Sequence, residues 1–350
     1  MKYTCYLGWF LLIFLIVSSG CNSHKGSSID RPSHHTPSGF QNNYLPPERM
    51  TKDLSKLWSR FWDRVPQQQV SLRQIQPQIG FLKNNRTEST LTWVGHSTFL
   101  WQHLGINLIT DPHLTDRACP LEFIGPKRLN PPAIELSELP SIDFVIISHN
   151  HYDHLDRKTV LALKRQQTEK PPYFLVPLGL KSWFAEIGIT EKVIDLDWWQ
   201  SEQIGQWNFT AVPVQQWSKR GLFDTNKTLW AGWVVRSPYQ KLFFAGDTGY
   251  SKDFVEIGKR YGPMDLSLIP IGAYAPRWFM KDMHVNPEEA VKIHLDVESR
   301  QSIGMHWGTF LNLTEEPLLE PTQRLLQELL KQRINPMEFR VLDHGQTLMF

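Results

Sequence analysis

From residue 91 onward the chain alternates between two kinds of segment. Short apolar runs recur at 91–101, 106–110, 142–148, 173–177, 192–196, 207–214, 229–236, 241–246, 266–271, 301–306 and 338–349. They are rich in Val, Ile, Phe and Trp and are bounded by Gly, Pro, Asp or Asn, a pattern that predicts strands. Between some of them, residues 156–167, 178–187, 252–261, 287–297 and 319–332 carry apolar positions at helical spacing. Asn286-Pro287-Glu288-Glu289 places Asn at a cap, Pro in the first turn and acids behind it, which marks a helix start. Strands interleaved with helices predict an α/β domain. With no sequence repeat and no second composition break, 51–350 reads as one domain. At its start, Leu54, Leu57, Trp58, Phe61, Trp62 and Val65 fall at helical spacing. They predict an amphipathic helix that packs on the domain, with membrane docking as the second reading.

The first fifty residues follow a different pattern. Lys2 precedes an apolar stretch over 5–17, then Ser18-Ser19-Gly20-Cys21. A positive start, a short apolar run and small residues before a cut site predict a secretory signal, and the run is short for a membrane span. Cys21 resembles the lipidated first residue of a bacterial lipoprotein, although Ser18 stands where Leu is commoner. Residues 1–21 are therefore expected to be a signal ending in a lipid-carrying Cys21, and 22–50, rich in Ser, Pro, Asn and Gly, a disordered tether. His24, His34 and His35 within it are expected to be solvated. These features predict a location in the bacterial cell envelope, lipid-anchored on the periplasmic or outer side of a membrane.

Composition narrows the chemistry. The 350 residues carry 37 Lys and Arg against 35 Asp and Glu, a net charge of +2 without a long basic run. That balance argues against nucleic acid as a partner. Three cysteines exclude a disulfide framework. Thirteen His leave room for metal chemistry, and their placement decides more than their number. His149-Asn150-His151-Tyr152-Asp153-His154 follows the apolar strand at 142–148. His149 and His151 can converge on one metal at a turn, while Asp153 and His154 can face a second beside it. Imidazole and carboxylate suit zinc, iron or manganese. Asp247 in Ala245-Gly246-Asp247-Thr248-Gly249 and His306 in Met305-His306-Trp307-Gly308 stand at two further strand ends. Each is weak alone, and each becomes a ligand candidate beside the histidine run.

With Asp247 and His306 behind it, the His-x-His-x-Asp-His run resembles the metallo-β-lactamase fold. Thr92–Ser97, Gly125–Arg128, Ile147–Asp156, Val176–Leu180, Leu196–Trp199, Phe243–Tyr250, Glu256–Arg260, Pro270–Tyr274, Pro276–Met280 and His306–Phe310 narrow the likeness. They resemble N-acyl-phosphatidylethanolamine-hydrolysing phospholipase D and its bacterial relatives over about 91–350. The resemblance implies a four-layer αββα sandwich with two metal ions, zinc first among them, at one edge of the paired sheets. It implies that His149 and His151 hold the first metal, that Asp153, His154 and His306 hold the second, and that Asp247 bridges both. It also implies that Tyr152 and His284 contact the acyl-ethanolamine part of a phospholipid substrate, and that a metal-bound hydroxide attacks the phosphodiester with Asp247 positioning it. Dimerisation is left open.

One position departs from the family. Where it has Pro-x-Gln-His-Trp, supplying a third imidazole to the first metal, this chain reads Pro213-Val214-Gln215-Gln216-Trp217. Gln216 is a poorer zinc ligand than His, so weakened affinity is expected there. Two alternatives follow: a metallo-hydrolase of another ester, lactone or phosphodiester, and a catalytically weakened, surface-tethered binding protein. Arg220, Arg277 and Lys127 are candidate phosphate partners. Trp278, Phe279 and Met280 could line an acyl-chain entrance or belong to the core.

Overall fold

The computed structural model describes residues 32–45, 72–119 and 123–350. The expected signal segment with Cys21 and the helix expected in 51–65 lie outside the described residues. Two seven-stranded sheets form the middle of the domain. The first contains β3 (Thr90–Gly95), β4 (Thr98–His103), β5 (Ile106–Thr110), β6 (Phe144–Ile146), β7 (Tyr173–Pro177), β8 (Val193–Leu196) and the carboxy-terminal β16 (Thr347–Met349). The second contains β9 (Ser201–Ile204), β10 (Trp207–Val212), β11 (Gly232–Arg236), β12 (Lys241–Phe244), β13 (Leu266–Pro270), β14 (Ser302–Met305) and β15 (Phe339–Arg340).

Each sheet is antiparallel on one side and parallel on the other. In the first, the order is β16-β3-β4-β5-β6-β7-β8, with pairing turning parallel from β5 onward. In the second, the order is β15-β14-β13-β12-β11-β10-β9, with β12 to β15 parallel. The continuous apolar runs have their cause here, because a strand covered on both faces has no polar side. Along the first sheet, Trp93, Phe99, Trp101, Leu108, Phe144, Ile146 and Leu175 join the larger core with the second sheet. Their alternates Val94, Leu100, Ile109, Val145, Ile147, Phe174 and Val176 lie in a second cluster. That cluster takes in Val160 and Leu163 of α2 (Arg157–Gln166) and Leu180 and Phe184 of α3 (Leu180–Glu186), with α1 (Ile79–Asn84) giving Leu82. The second sheet is covered by α4 (Asp253–Tyr261), α6 (Pro287–Asp296) and α7 (Glu320–Gln332), whose Phe254, Ile257, Val291, Ile293, Leu325 and Leu329 are buried. The short α5 (Arg277–Met280) has no buried residue. This is the expected αββα sandwich.

The five helices expected from spacing are present within two residues of their expected ends. Asn286 caps α6 as its sequence suggested: its side chain accepts from Glu289 N–H, and Glu289 reaches back to Asn286 N–H. The run at 91–101 is a hairpin, broken at Gly95 and His96, both with positive φ. The run at 338–349 splits into β15 and β16, which belong to different sheets. Sequence reading missed β9, an edge strand of mostly polar residues, and the short α1 and α5. None of the described helices is long and apolar enough to cross a membrane.

The expected tether through residue 50 needs correction. Residues 33–45 belong to the same compact unit as the domain, with β1 (His35–Thr36) and β2 (Gly39–Phe40) forming a small antiparallel hairpin. His34 is buried, and Asp197 takes His34 Nε2 at 2.6 Å on one oxygen and His35 Nε2 at 2.7 Å on the other. Phe40 N–H donates to Asn226 O at 2.8 Å, and Gly39 stands so close that an added Cβ would lie 2.0 Å from that oxygen. Local composition reads as a tether because these partners are 160 or more residues away.

Candidate metal centre

The donor side chains leave the carboxyl ends of parallel strands from both sheets. The loop after β6 carries His149 to His154, the turn after β12 carries Asp247, and His306 directly follows β14. Gly246, at φ 62°, permits the crossing between sheets, since a Cβ there would lie 2.5 Å from Ser148 Cβ. A side chain at 246 would push the Asp247 turn away from the histidine loop.

Four donor atoms converge. His306 Nε2 lies 3.2 Å from His154 Nε2. Asp247 Oδ2 is 3.1 Å from each of these nitrogens, and Asp153 Oδ2 is 3.4 Å from each. Metal bonds of about 2.0–2.2 Å at near-tetrahedral angles separate ligand atoms by roughly 3.1–3.6 Å, so these five separations suit donors to one cation. Beside them, His149 Nε2 lies 2.8 Å from His151 Nδ1 and 4.0 Å from Asp247 Oδ2. All these residues are buried or nearly so. Among the described residues, Asp247 Oδ1, His151 Nε2, His284 Nδ1 and His306 Nδ1 are buried without a hydrogen-bond partner. A buried carboxylate oxygen without a donor, Asp247 Oδ1, fits a cationic occupant.

Electrostatics agree. Burial opposes charge on His154 and His306, but Asp247 and Asp153 outweigh it, with Asp111 adding to the effect on His154. His154 is thereby held well above the usual imidazole range and His306 is raised to about 9. The carboxylates thus draw protons onto two imidazoles, and a cation would supply the same compensation with both rings neutral. His149 is pushed well below its ordinary value by burial and by His154 and His151. Burial takes His151 and His284 down to about 4.

The outer support was not read from the sequence. Asp111, after β5, accepts from His154 Nδ1 at 2.6 Å and from Ser148 Oγ at 2.5 Å on one oxygen, and from Ser148 N–H at 2.7 Å on the other. Since the Ser148 proton goes to Asp111, His149 Nδ1–H donates to Ser148 Oγ at 2.9 Å. One carboxylate therefore sets the tautomer of a histidine in each half, leaving both Nε2 atoms free for a metal. His96 Nε2 lies 3.1 Å from Asp153 Oδ2. A carboxylate at a strand end beside the histidine strand was the available signal for Asp111. His96 stood within a family-like run but had no assigned role.

The remaining expected residues fall around this cluster. His284 Nδ1 is 3.7 Å from Asp247 Oδ2, within a group with His306 at ligand spacing. Tyr152 OH donates to Arg220 O at 2.8 Å and lines a cleft of ≈ 740 Å³ with Trp183, Arg157 and Arg220. Arg220 stacks its guanidinium 4.1 Å from the Tyr152 ring and donates to the carbonyls of Asn150 and Leu155. Arg277 pairs with Glu289 at 2.7 Å and donates to His284 O, so it braces the His284 loop. Trp278 is exposed, not core. Gln216 is fully buried; its Oε1 accepts from Trp217 N–H at 3.2 Å and its Nε2 has no partner among the described residues.

A four-layer sandwich with a histidine and carboxylate cluster at its strand ends defines a class, the metal-dependent hydrolases of this fold. The model of the β-lactamase superfamily domain matches residues 107–307, and the chain belongs to that superfamily. It is 43% identical over 267 residues, 73% of this chain and 74% of the relative, to N-acyl-phosphatidylethanolamine-hydrolyzing phospholipase D 1 of Caenorhabditis elegans. It is 40% identical over 331 residues, 91% of this chain and 87% of the relative, to an uncharacterized protein of Mycobacterium tuberculosis. Among solved structures, a metallo hydrolase from Ignicoccus hospitalis matches with a TM-score of 0.57 and 21% identity, covering 75% of this chain and 99% of that one. The chain is a metal-dependent hydrolase with phospholipase D homologues.

Proposed function

We propose that this hydrolase is a two-metal phosphodiesterase of the phospholipase D type, acting on N-acyl-phosphatidylethanolamine-like lipids. The convergence of Asp153, His154, His306 and Asp247 at 3.1–3.4 Å, with His149 and His151 alongside, carries the reading. Similarity to the Caenorhabditis elegans phospholipase supports the substrate class. Asp153, His154 and His306 are assigned to one cation, His149 and His151 to the other, and Asp247 to both. Zinc is the proposed metal, and iron or manganese suits the same donors. When bound, such cations would lower the pKa of water to about 7 and neutralise charge on phosphate oxygens.

The chain's own residues supply the rest. Asp111 and Ser148 orient His154 and His149, and His96 steadies Asp153. His284, kept neutral by burial, presents an uncharged hydrogen-bonding ring beside Asp247. Tyr152 lines the cleft assigned to the acyl-ethanolamine part. Hydrolysis breaks the P–O bond to the N-acylethanolamine, which leaves with a proton from water, and phosphatidate remains. A lipid on Cys21 would hold the enzyme at its substrate surface in the cell envelope.

The test is release of N-acylethanolamine from vesicles containing N-acyl-phosphatidylethanolamine, across a metal titration of the full chain. Lipid turnover is expected. Cleavage of a synthetic phosphodiester or a lactone without lipid turnover would move the chain to another hydrolase activity. Gln216 favours the third reading, a weakened binding protein. No turnover on any substrate at saturating metal, unchanged by Gln216→His, would establish that reading instead.

A further inference from the structure

We propose that Asn42, on the amino-terminal segment 33–45, is a positioning residue for the first metal half of the site and acts through the backbone of Gln216. Gln216 stands where the chain departs from its family, and its backbone N–H and C=O are both held by one side chain. Asn42 Oδ1 accepts from Gln216 N–H at 3.1 Å, and Asn42 Nδ2 donates to Gln216 O at 2.9 Å. Asn42 and Gln216 are both buried. Trp230 Nε1 donates to the same Oδ1 at 3.1 Å and to Val214 O at 2.9 Å, fixing the amide's orientation.

The clamped Gln216 backbone lies between the two donor loops. Gln215 N–H donates to Thr248 Oγ1 at 2.9 Å, beside Asp247, and Gly249 N–H donates to Gln215 O at 2.8 Å. On the other side the Trp217 ring is 4.8 Å from the His151 ring, and Lys219 N–H donates to Asn150 Oδ1 at 2.8 Å. A shift of the Gln216 backbone therefore moves the Trp217 ring on His151 and loosens the connection to the Asp247 turn. Without a third imidazole to bind a cation, the loop lacks one tie to the metal, and the Asn42 clamp supplies a protein tie in its place. Segment 33–45 is itself fastened at separate points, by Asp197 to His34 and His35 and by Asn43 Nδ2 to Asp253 Oδ1 at 2.8 Å. Part of the centre's support thus lies outside the superfamily domain at 107–307.

The proposal rests on the two-metal reading for its consequence, but the clamp itself does not. The experiment compares full-length Asn42→Ala with Asn43→Ala, which removes a side-chain bond from the same segment to a different element. Hydrogen exchange in metal-free protein reads the clamp directly, and segment 213–219 is expected to exchange about tenfold faster in Asn42→Ala and unchanged in Asn43→Ala. Cobalt titration followed by visible absorption reads the consequence. The uptake step abolished by His151→Ala is expected to weaken about 10- to 100-fold in Asn42→Ala, with the other step unchanged. Unaltered exchange across 213–219 in Asn42→Ala, or equal acceleration in Asn43→Ala, would overturn the clamp. Faster exchange with both cobalt steps unchanged would overturn its role at the metal. A wild-type chain with no cobalt step sensitive to His151→Ala would remove the two-metal reading, and the exchange comparison would still decide the clamp.

Discussion

The two halves of the candidate metal centre are built by different means. In one, Asp153, His154 and His306 come from both sheets and share Asp247, with His154 and His306 each 3.1 Å from its Oδ2. In the other, His149 and His151 come from a single loop, His149 stands 4.0 Å from the same oxygen, and the family's third imidazole is Gln216. The first arrangement brings donors from both sheets to 3.1–3.4 Å of one another, with Asp111 behind His154 and His96 beside Asp153. The second leans on its surroundings: the Ser148–Asp111 pair behind His149, the Trp217 ring against His151, and Asn42 behind Gln216. Geometry close to a single cation's needs can therefore coexist with a neighbouring site whose order is borrowed from distant chain segments.

The largest effect is expected from the group the halves share. Asp247→Ala should lower hydrolysis about 10³-fold or more and reduce bound metal from near two equivalents to one or none, read by elemental analysis and steady-state kinetics. Retention of two tightly held ions would break the assignment of Asp247 to both halves. Next come His306→Ala and His151→Ala, each removing one cobalt step. The His306 variant should lose the tighter step and the His151 variant the weaker one, and the reverse order would invert the comparison. Asp111→Asn is expected to weaken both steps about 10- to 100-fold, because its carboxylate supports a histidine in each half. Gln216→His should strengthen the weaker step about tenfold and leave the tighter one alone, since imidazole is the better zinc ligand.

Smallest at the centre is an effect from outside it. Burial, helped by nearby Arg128, pushes the His344 imidazole down to about 4. Its folded value lies below its unfolded value of about 6.5, so its contribution is complete above pH 6.5 and is lost as pH falls toward 4. By pH 5 the loss is roughly 2 kcal/mol. Urea unfolding of metal-free protein at pH 7.5 and 5.0 should show that slope diminished in His344→Gln, with both cobalt steps at neutral pH unaffected.

The parts legible in the sequence were those with local signatures. Strand runs covered on both faces stay apolar throughout, so β5, β7, β12 and β13 stood out, and the Asn286–Glu289 capping box marked α6. β9 was missed because an edge strand carries polar residues, and the 338–349 run was misread because β15 and β16 join different sheets. In the centre, His149 to His154 declared themselves by crowding. Asp247 and His306 were recoverable only by association, and Asp111 gave too ordinary a local pattern. The clearest failure was the segment 33–45. Its Ser, Pro, Asn and Gly content describes a chain without local structure, and its order comes from Asp197, Gln216 and Asn226.

The sequence by itself determined the α/β class, the set of donor types and the departure at Gln216, because periodicity, ligand chemistry and a substitution within a family-like run are local properties. The tertiary structure decided which donor side chains stand together, that Asp111 contacts both halves, and that an apparent tether holds the backbone of Gln216. Those depend on distances between residues as far apart as Asn42 and Gln216, or His154 and His306. Local pattern carries no record of such distances; the packing of the two sheets fixes them.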